Sequence, residues 1–349
     1  MTVQDIREPV VSDTETWRRR LSFYQRPNDW KSLRELAVTV VPLALAWTAM
    51  LVVLWLHLYW VYGLLLFPAS GLLVRLFMIQ HDCGHGAFFR NKVANDCLGR
   101  AVGVLTLTPY DHWRRSHAIH HATSGNLDRR GTGDIKTLTV GEYRARSAWG
   151  RLNYRLYRHP AVMFGLGPPY LFLLENRLPF GFMLKGWMPW VSTMVTNLGI
   201  AAFGGAMIWA FGYQMFLLIY VASALLAGAV GIWLFFVQHQ FDPAHWVSGE
   251  RWNASEAALL GSSYYALPSV LRWFTANIGI HHVHHLSSRI PYYRLPEALR
   301  DYPALRGPNR INLVQSLNCP RLTLWDEARQ RLISFKDFHH AENVAQSCC

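Results

Sequence analysis

Residues 36–85 read "LAVTVVPLALAWTAMLVVLWLHLYWVYGLLLFPASGLLVRLFMIQHDCGH". The stretch is apolar for 45 residues, Leu36 to Gln80, and then runs directly into two histidines at i and i+4, His81 and His85. One membrane-crossing helix needs about 20 apolar residues, so the block holds two spans. Their turn falls near His57–Gly63, where Tyr59, Trp60 and Tyr62 make an interfacial aromatic belt and His57 reads as an interfacial residue. A second apolar block, Trp190–Val237, breaks at Gly212 and also reads as two spans. The expected spans are 36–57, 61–80, 190–211 and 213–237.

Composition agrees. The 349 residues are 51% hydrophobic and only 16% charged, where a soluble chain carries about 25% charged residues. The first 35 residues are polar and show no secretory signal pattern. Five cysteines (Cys83, Cys97, Cys319, Cys348, Cys349) have no paired spacing, which points to reduced thiols rather than a disulfide framework. Seven Lys/Arg precede residue 36, fifteen lie in 81–189 and eleven follow 237, while neither hairpin tip carries one. The positive-inside rule then places both termini and the central loop in the cytoplasm. The net charge of +12 follows from those loops, with attraction to anionic headgroups or an acidic protein partner as a second use; nothing suggests nucleic acid.

The single Lys/Arg inside a span is Arg75, six residues before His81. It either snorkels to the interface or has a partner beneath the site. Leu98–Pro109 and Pro160–Leu174 are too short or too broken to span and read as interfacial or re-entrant. Ser223, Ala227 and Gly231 form a small-residue stripe suited to close helix packing. The tail beyond Pro320 is polar, with partial disorder expected at its end. The expected divisions are an N-terminal segment 1–35, a membrane domain 36–310 and a tail 311–349.

Three histidine clusters carry the chemistry: "HDCGH" (His81, His85), "HAIHH" (His117, His120, His121) and "HHVHH" (His281, His282, His284, His285). On a helix, positions i, i+3 and i+4 share one face. His282 points away from the bisector of its cluster and falls outside the ligand set. One such pair is weak evidence; three clusters on the same side of predicted spans are a metal site. Eight imidazoles exceed one ion, so two metals are implied. Neutral imidazole suits Zn, Cu, Fe and Ni, and an imidazole-rich site at the face of an apolar bundle suits redox-active iron acting with oxygen beside a lipid chain. Asp82 reads as an acceptor for a ligand's other ring nitrogen. The fold class is therefore an all-α membrane protein: four transmembrane helices in two hairpins with a cytoplasmic helical cap carrying a histidine-rich di-iron site.

The stretches "QHDCGHGAFF" (80–89), "HAIHHATSGNLDRRGTGDI" (117–135), "FFVQHQFDPAHW" (235–246) and "HHVHHLSSRIPYYRLPE" (281–297) resemble the membrane fatty acid desaturases, in particular the bacterial acyl-lipid Δ12-type group. The likeness covers roughly residues 35–310. It implies nine metal ligands: His81, His85, His117, His120, His121, His239, His281, His284 and His285, with His239 added only by the resemblance. It further implies two non-haem irons, dioxygen as co-substrate, two external electrons, a cis double bond placed in an acyl lipid, and a bacterial inner membrane. One departure stands out. Animal members place a water-bridging Asn one turn before the ninth histidine, and here that residue is Phe235. Water or another residue then completes that iron; Asn277 either serves or has a capping or hydrogen-bonding role. No "HPGG" haem motif occurs, so electrons are expected from a separate carrier, ferredoxin, with Arg114, Arg115, Arg129 and Arg130 as a docking or headgroup surface. The rival readings are a fatty acid or alkane hydroxylase or carotenoid oxygenase on the same scaffold, disfavoured by the "LSSRIPYYRLPE" tail, and a membrane metal or haem transporter, which would place histidines within the spans.

Overall fold

The computed structural model describes residues 14–131, 133–179, 186–307 and 309–347. Cys348 and Cys349 lie outside the described residues. A short helix α1 (Thr14–Leu21) leads to α2 (Asp29–Trp55), whose start is capped by the Asn28 side chain accepting from Lys31 N–H. A tight turn with His57 at φ 57° leads back into α3 (Tyr59–Gly84). Both helices contain a proline, Pro42 and Pro68, which helices in lipid tolerate. Helix α3 runs through the whole expected span and carries His81 on its own last turn.

Between the hairpins lie α4 (Lys92–Leu105), α5 (Tyr110–Thr123), β1 (Leu138–Thr139), α6 (Val140–Arg144), α7 (Ala148–Tyr157), a π-helical turn (Ala161–Leu166) and α8 (Gly167–Leu173). The second hairpin is α9 (Met188–Phe211) and α10 (Tyr213–His239). It turns at Gly212, whose φ of 86° lies where a side chain would be strained. Among the described residues four helices, α2, α3, α9 and α10, are long and apolar enough to cross a membrane. The first begins seven residues before the expected boundary at 36, because Asn28 sets its start rather than the first apolar residue. Apolar residues at both hairpin tips, among them Trp55, Tyr59, Trp60, Trp209, Phe211 and Tyr213, are exposed, as interfacial anchors are.

Helix α3 is the central post. Nearly every residue from Ala69 to Cys83 is buried, where it packs on α2, α4 and α10. Arg75 does not snorkel. It is 2% exposed, pairs with Glu35, donates to Thr39 Oγ1 at 3.1 Å and to the Trp273 carbonyl, and lies over the Trp273 ring. Burying a lone guanidinium is costly, so partners win over a reach to water. The stripe on α10 is also revised. Ser223 is buried, but Gly231 faces open space, and the close approach is at Gly228, where a Cβ would meet the Phe172 ring at 2.5 Å.

After α10 come α11 (Ala254–Leu260), β2 (Tyr264–Ala266), α12 (Ser269–Phe274), α13 (His281–Leu286), α14 (Leu295–Asp301), β3 (Arg310–Asn312), β4 (Leu324–Asp326), β5 (Arg331–Ile333) and α15 (Phe335–Ser347). Strand β3 pairs in parallel with β2, so the expected boundary at 310/311 falls inside a strand. The tail is ordered through Ser347. Strand β4 pairs parallel to β1 and antiparallel to β5, and Leu138, Tyr143, Tyr154, Leu324, Ile333 and Phe338 bury a second small core. Apolar residues of the tail find partners in the central loop, and the end where disorder is expected, 348–349, lies outside the described residues.

Candidate metal centre

Box one sits where α3 ends: His81 on the last turn, His85 as the C-cap, and Gly86 at φ 64° turning the chain away. Box two lies on the inner face of α5, and box three is the helix α13 itself. His239 closes α10. The nine predicted ring systems converge into two groups. Group one is His81, His85, His117, His121 and His284; group two is His120, His239, His281 and His285. Within each group the candidate ligand atoms lie within 4.8 Å of one another.

In group one, Nε2 of His117 is 3.1 Å from that of His81 and from that of His121, which is 3.1 Å from that of His284. In group two, His239 Nε2 is 3.1 Å from His120 Nε2 and 3.0 Å from His281 Nε2, which is 3.0 Å from His285 Nε2. The groups touch through His121 and His285, stacked with centroids 4.1 Å apart.

A metal ion fits these groups. A carboxylate only accepts, so Asp134 against His120 Nδ1 fixes the hydrogen there and turns the His120 Nε2 lone pair inward. Asp82 does the same for His81, at 3.1 Å from its Nδ1. The His85 Nε2 atom is buried with no hydrogen-bond partner, a cost that a cation removes. Desolvation, added to by neighbouring rings, holds His117, His121, His281, His284 and His285 well below the usual imidazole range, and His85 at about 4. Such rings are neutral at physiological pH, the form that binds metal. Neighbouring Nε2 atoms 3.0–3.1 Å apart are close enough to share one ion, given metal–nitrogen bonds of about 2.1 Å.

Supporting residues hold the rings. The Trp113 indole stacks on His117 at 4.5 Å. Asp82 Oδ2 accepts from Tyr292 N–H at 2.7 Å, tying box one to the "RIPYY" segment after box three. Ser124 Oγ lies 3.4 Å from His239 Nδ1. Asp134 was quoted in the second matching stretch without a role; the acid in "GTGDI", fourteen residues after His120, was the available signal. Phe235 packs its ring 4.9 Å from that of His120 and 5.3 Å from that of His239. Behind these rings, on the Nδ1 side, is a cavity of about 30 Å3 lined by Ser124, Asn126, Arg130, Asp134, His239 and Gln240, large enough for water by the about 10–15 Å3 criterion.

Two nearby residues lie outside the groups. His282 is buried, but its Nε2 meets the Leu305 carbonyl at 2.6 Å, so it braces α13 and stands outside both groups. Asn277 is not one helical turn before His281: it sits in a left-handed turn at φ 58° ahead of α13 and donates to the Tyr292 carbonyl at 3.3 Å. That side chain has no cap or ligand role. Of the four flanking arginines, Arg114 pairs with Asp96 and Asp111, and Arg130 with Glu142. Arg115 and Arg129 are exposed.

Two histidine groups that could each hold a metal ion, at the end of four helices apolar enough to cross a membrane, are the arrangement expected of a membrane oxidoreductase. The comparisons are consistent with it. The fatty acid desaturase family model matches residues 59–313, which contain all nine histidines. A fatty acid desaturase of Bacillus subtilis is 44% identical over 325 residues, 92% of this chain and 91% of that protein. An sn-1 acyl-lipid omega-3 desaturase (ferredoxin) of Synechocystis is 31% identical over 246 residues, 66% of this chain and 64% of that protein. A chloroplastic omega-6 fatty acid desaturase of Arabidopsis thaliana is 28% identical over 246 residues, 64% of this chain and 49% of that protein. This chain belongs to the fatty acid desaturase family. It is an oxygen-dependent oxidoreductase that desaturates fatty acyl chains.

Proposed function

We propose that the nine histidines hold two iron ions, five ligands on one and four on the other, and that the enzyme places a cis double bond in an acyl chain of a membrane lipid. The convergence of nine nitrogens into two groups carries this reading. When bound, the iron pair supplies the oxidising power, with dioxygen, to remove one hydrogen from each of two neighbouring methylenes. Two protons and two external electrons complete the balance, and both oxygen atoms leave as water. The protein's share is to hold the rings. Asp82 and Asp134 fix tautomers, Trp113 and Phe235 wall the groups against water, and the apolar bundle orients the chain.

Ferredoxin is the proposed electron donor. The Synechocystis relative is named for it, and the excess of Lys and Arg in the loops suits an acidic carrier. Arg115 and Arg129 are the exposed candidates beside box two. The loops and both termini face the cytoplasm of a bacterial inner membrane in this reading, with 1–35 and 311–349 flanking the membrane domain.

The test is expression in a ferredoxin-containing bacterium, with iron counted on the purified chain and new double bonds located by mass spectrometry of derivatised fatty acids. Two irons per chain and a new unsaturated acyl lipid are expected. Hydroxylated chains in their place would transfer the reading to a hydroxylase, and an iron-free chain that still forms product would overturn the metal assignment.

A further inference from the structure

The segment between the last span and box three leaves the histidine level and comes back to it. Tyr265 N–H donates to the Gly279 carbonyl at 2.7 Å, and Tyr264 bridges antiparallel to Ile280, so residues 266–278 form an excursion closed just before His281. Glycine is needed at the closure, since a Cβ on Gly279 would lie 2.3 Å from the Tyr265 carbonyl oxygen. Helix α12 is the tip, turned back by Ala276 and Asn277 at φ 48° and 58°.

Helix α3 fixes where that tip lies. The Phe274 ring fills the space over Gly71, where a Cβ would be 2.7 Å away, and Arg75 holds the Trp273 carbonyl while lying 4.3 Å from its ring centroid. Gly71 and Arg75 come ten and six residues before His81, which at 1.5 Å per residue is about 15 and 9 Å along the span away from the metal groups. The other partners of Arg75, Glu35 and Thr39, bracket the point where α2 turns apolar. The tip is therefore level with the start of the apolar run of α2 and lies alongside the histidine-side half of the α3 span. Yet Pro268 to Trp273 are all exposed, Val270 at 65%. Valine and leucine at that level, flanked by Arg272 and Trp273, have the make-up of a segment lying in a membrane interface.

We propose that residues 264–280 form a re-entrant lip whose α12 lies in the leaflet on the histidine side, against the acyl chains of membrane glycerolipids. The lip rests on insertion of the four spans and deepens the acyl-lipid reading. Lipid chains touch the arm that delivers His281, His284 and His285, so a substrate still esterified in the bilayer meets the enzyme beside its third box.

The experiment uses the full chain in vesicles of phosphatidylethanolamine and phosphatidylglycerol containing a small fraction of phosphatidylglycerol with a diazirine on its acyl chain. A parallel sample carries the diazirine on the headgroup. After irradiation, peptide mapping should place chain-borne adducts on 268–274, severalfold above those on the exposed 249–251 turn. Chain-borne adducts confined to the four spans, or labelling of 268–274 by the headgroup probe alone, would overturn the lip. Labelling does not need turnover, so an active but unlabelled α12 counts against the lip alone, and a labelled but inactive chain counts against the desaturase reading alone.

Discussion

Group one draws five rings from α3, α5 and α13, whereas group two draws four from α5, α10 and α13. Their backing differs as well. Group one is walled by Trp113 and tied by Asp82 to the backbone of Tyr292, a side-chain bond to a fixed peptide. Group two is backed by Asp134, Ser124 and a water-sized cavity, with Phe235 pressed against two of its rings. Group one has one ring more than group two, and an indole and a backbone-tied carboxylate back it where a small cavity backs group two. The comparison teaches that identical spacings in boxes two and three do not make identical groups, so two ions held there need not be held equally well.

Removing a ligand tests this most severely. His285→Ala leaves group two with three rings, so iron per chain should fall by about half and product should vanish. His85→Ala leaves four rings in group one and should retain more iron than His285→Ala, read by metal analysis after dialysis. Equal loss in both variants would cancel the asymmetry.

Next in size are the carboxylates. Asp134→Asn puts an amide where a carboxylate fixed the His120 tautomer, and loss of such a partner costs about 10–100-fold in metal affinity. Asp82→Asn should have the same effect at His81, since an amide oxygen kept by the Tyr292 N–H turns the amide nitrogen toward His81 Nδ1. Competition against a chelator measures both. Arg75→Met breaks the pair with Glu35 and leaves a carboxylate behind; breaking a buried ion pair costs about 3–5 kcal/mol. The double variant Arg75→Met with Glu35→Gln should recover part of that in detergent unfolding, and no recovery would show that Arg75 acts through Trp273 instead. Smallest of all, His282→Gln should keep both irons, because its ring meets the Leu305 carbonyl and the Tyr264 ring and stands outside both groups.

Much of this was legible before any coordinates. Apolar length announced the four spans, and the i, i+3, i+4 spacing announced that each box presents one face. How the rings divide was not legible. His120 joins group two and its neighbours His117 and His121 join group one, a split that depends on which of α10 or α3 each ring meets. Arg75 was readable as an anomaly but its partners, 40 and 198 residues away, were not. The tail strands were not legible because β4 and β5 are three residues long and β4 pairs with β1, some 186 positions earlier.

The position of box three has a consequence for how the enzyme is made. Group one needs His284 and group two needs His281 and His285, so neither is complete until the ribosome has passed residue 285. By then all four spans have been synthesised. On the proposed iron reading, metal is captured late, after the four apolar helices have been made, and a chain truncated between α10 and α13 would complete neither group.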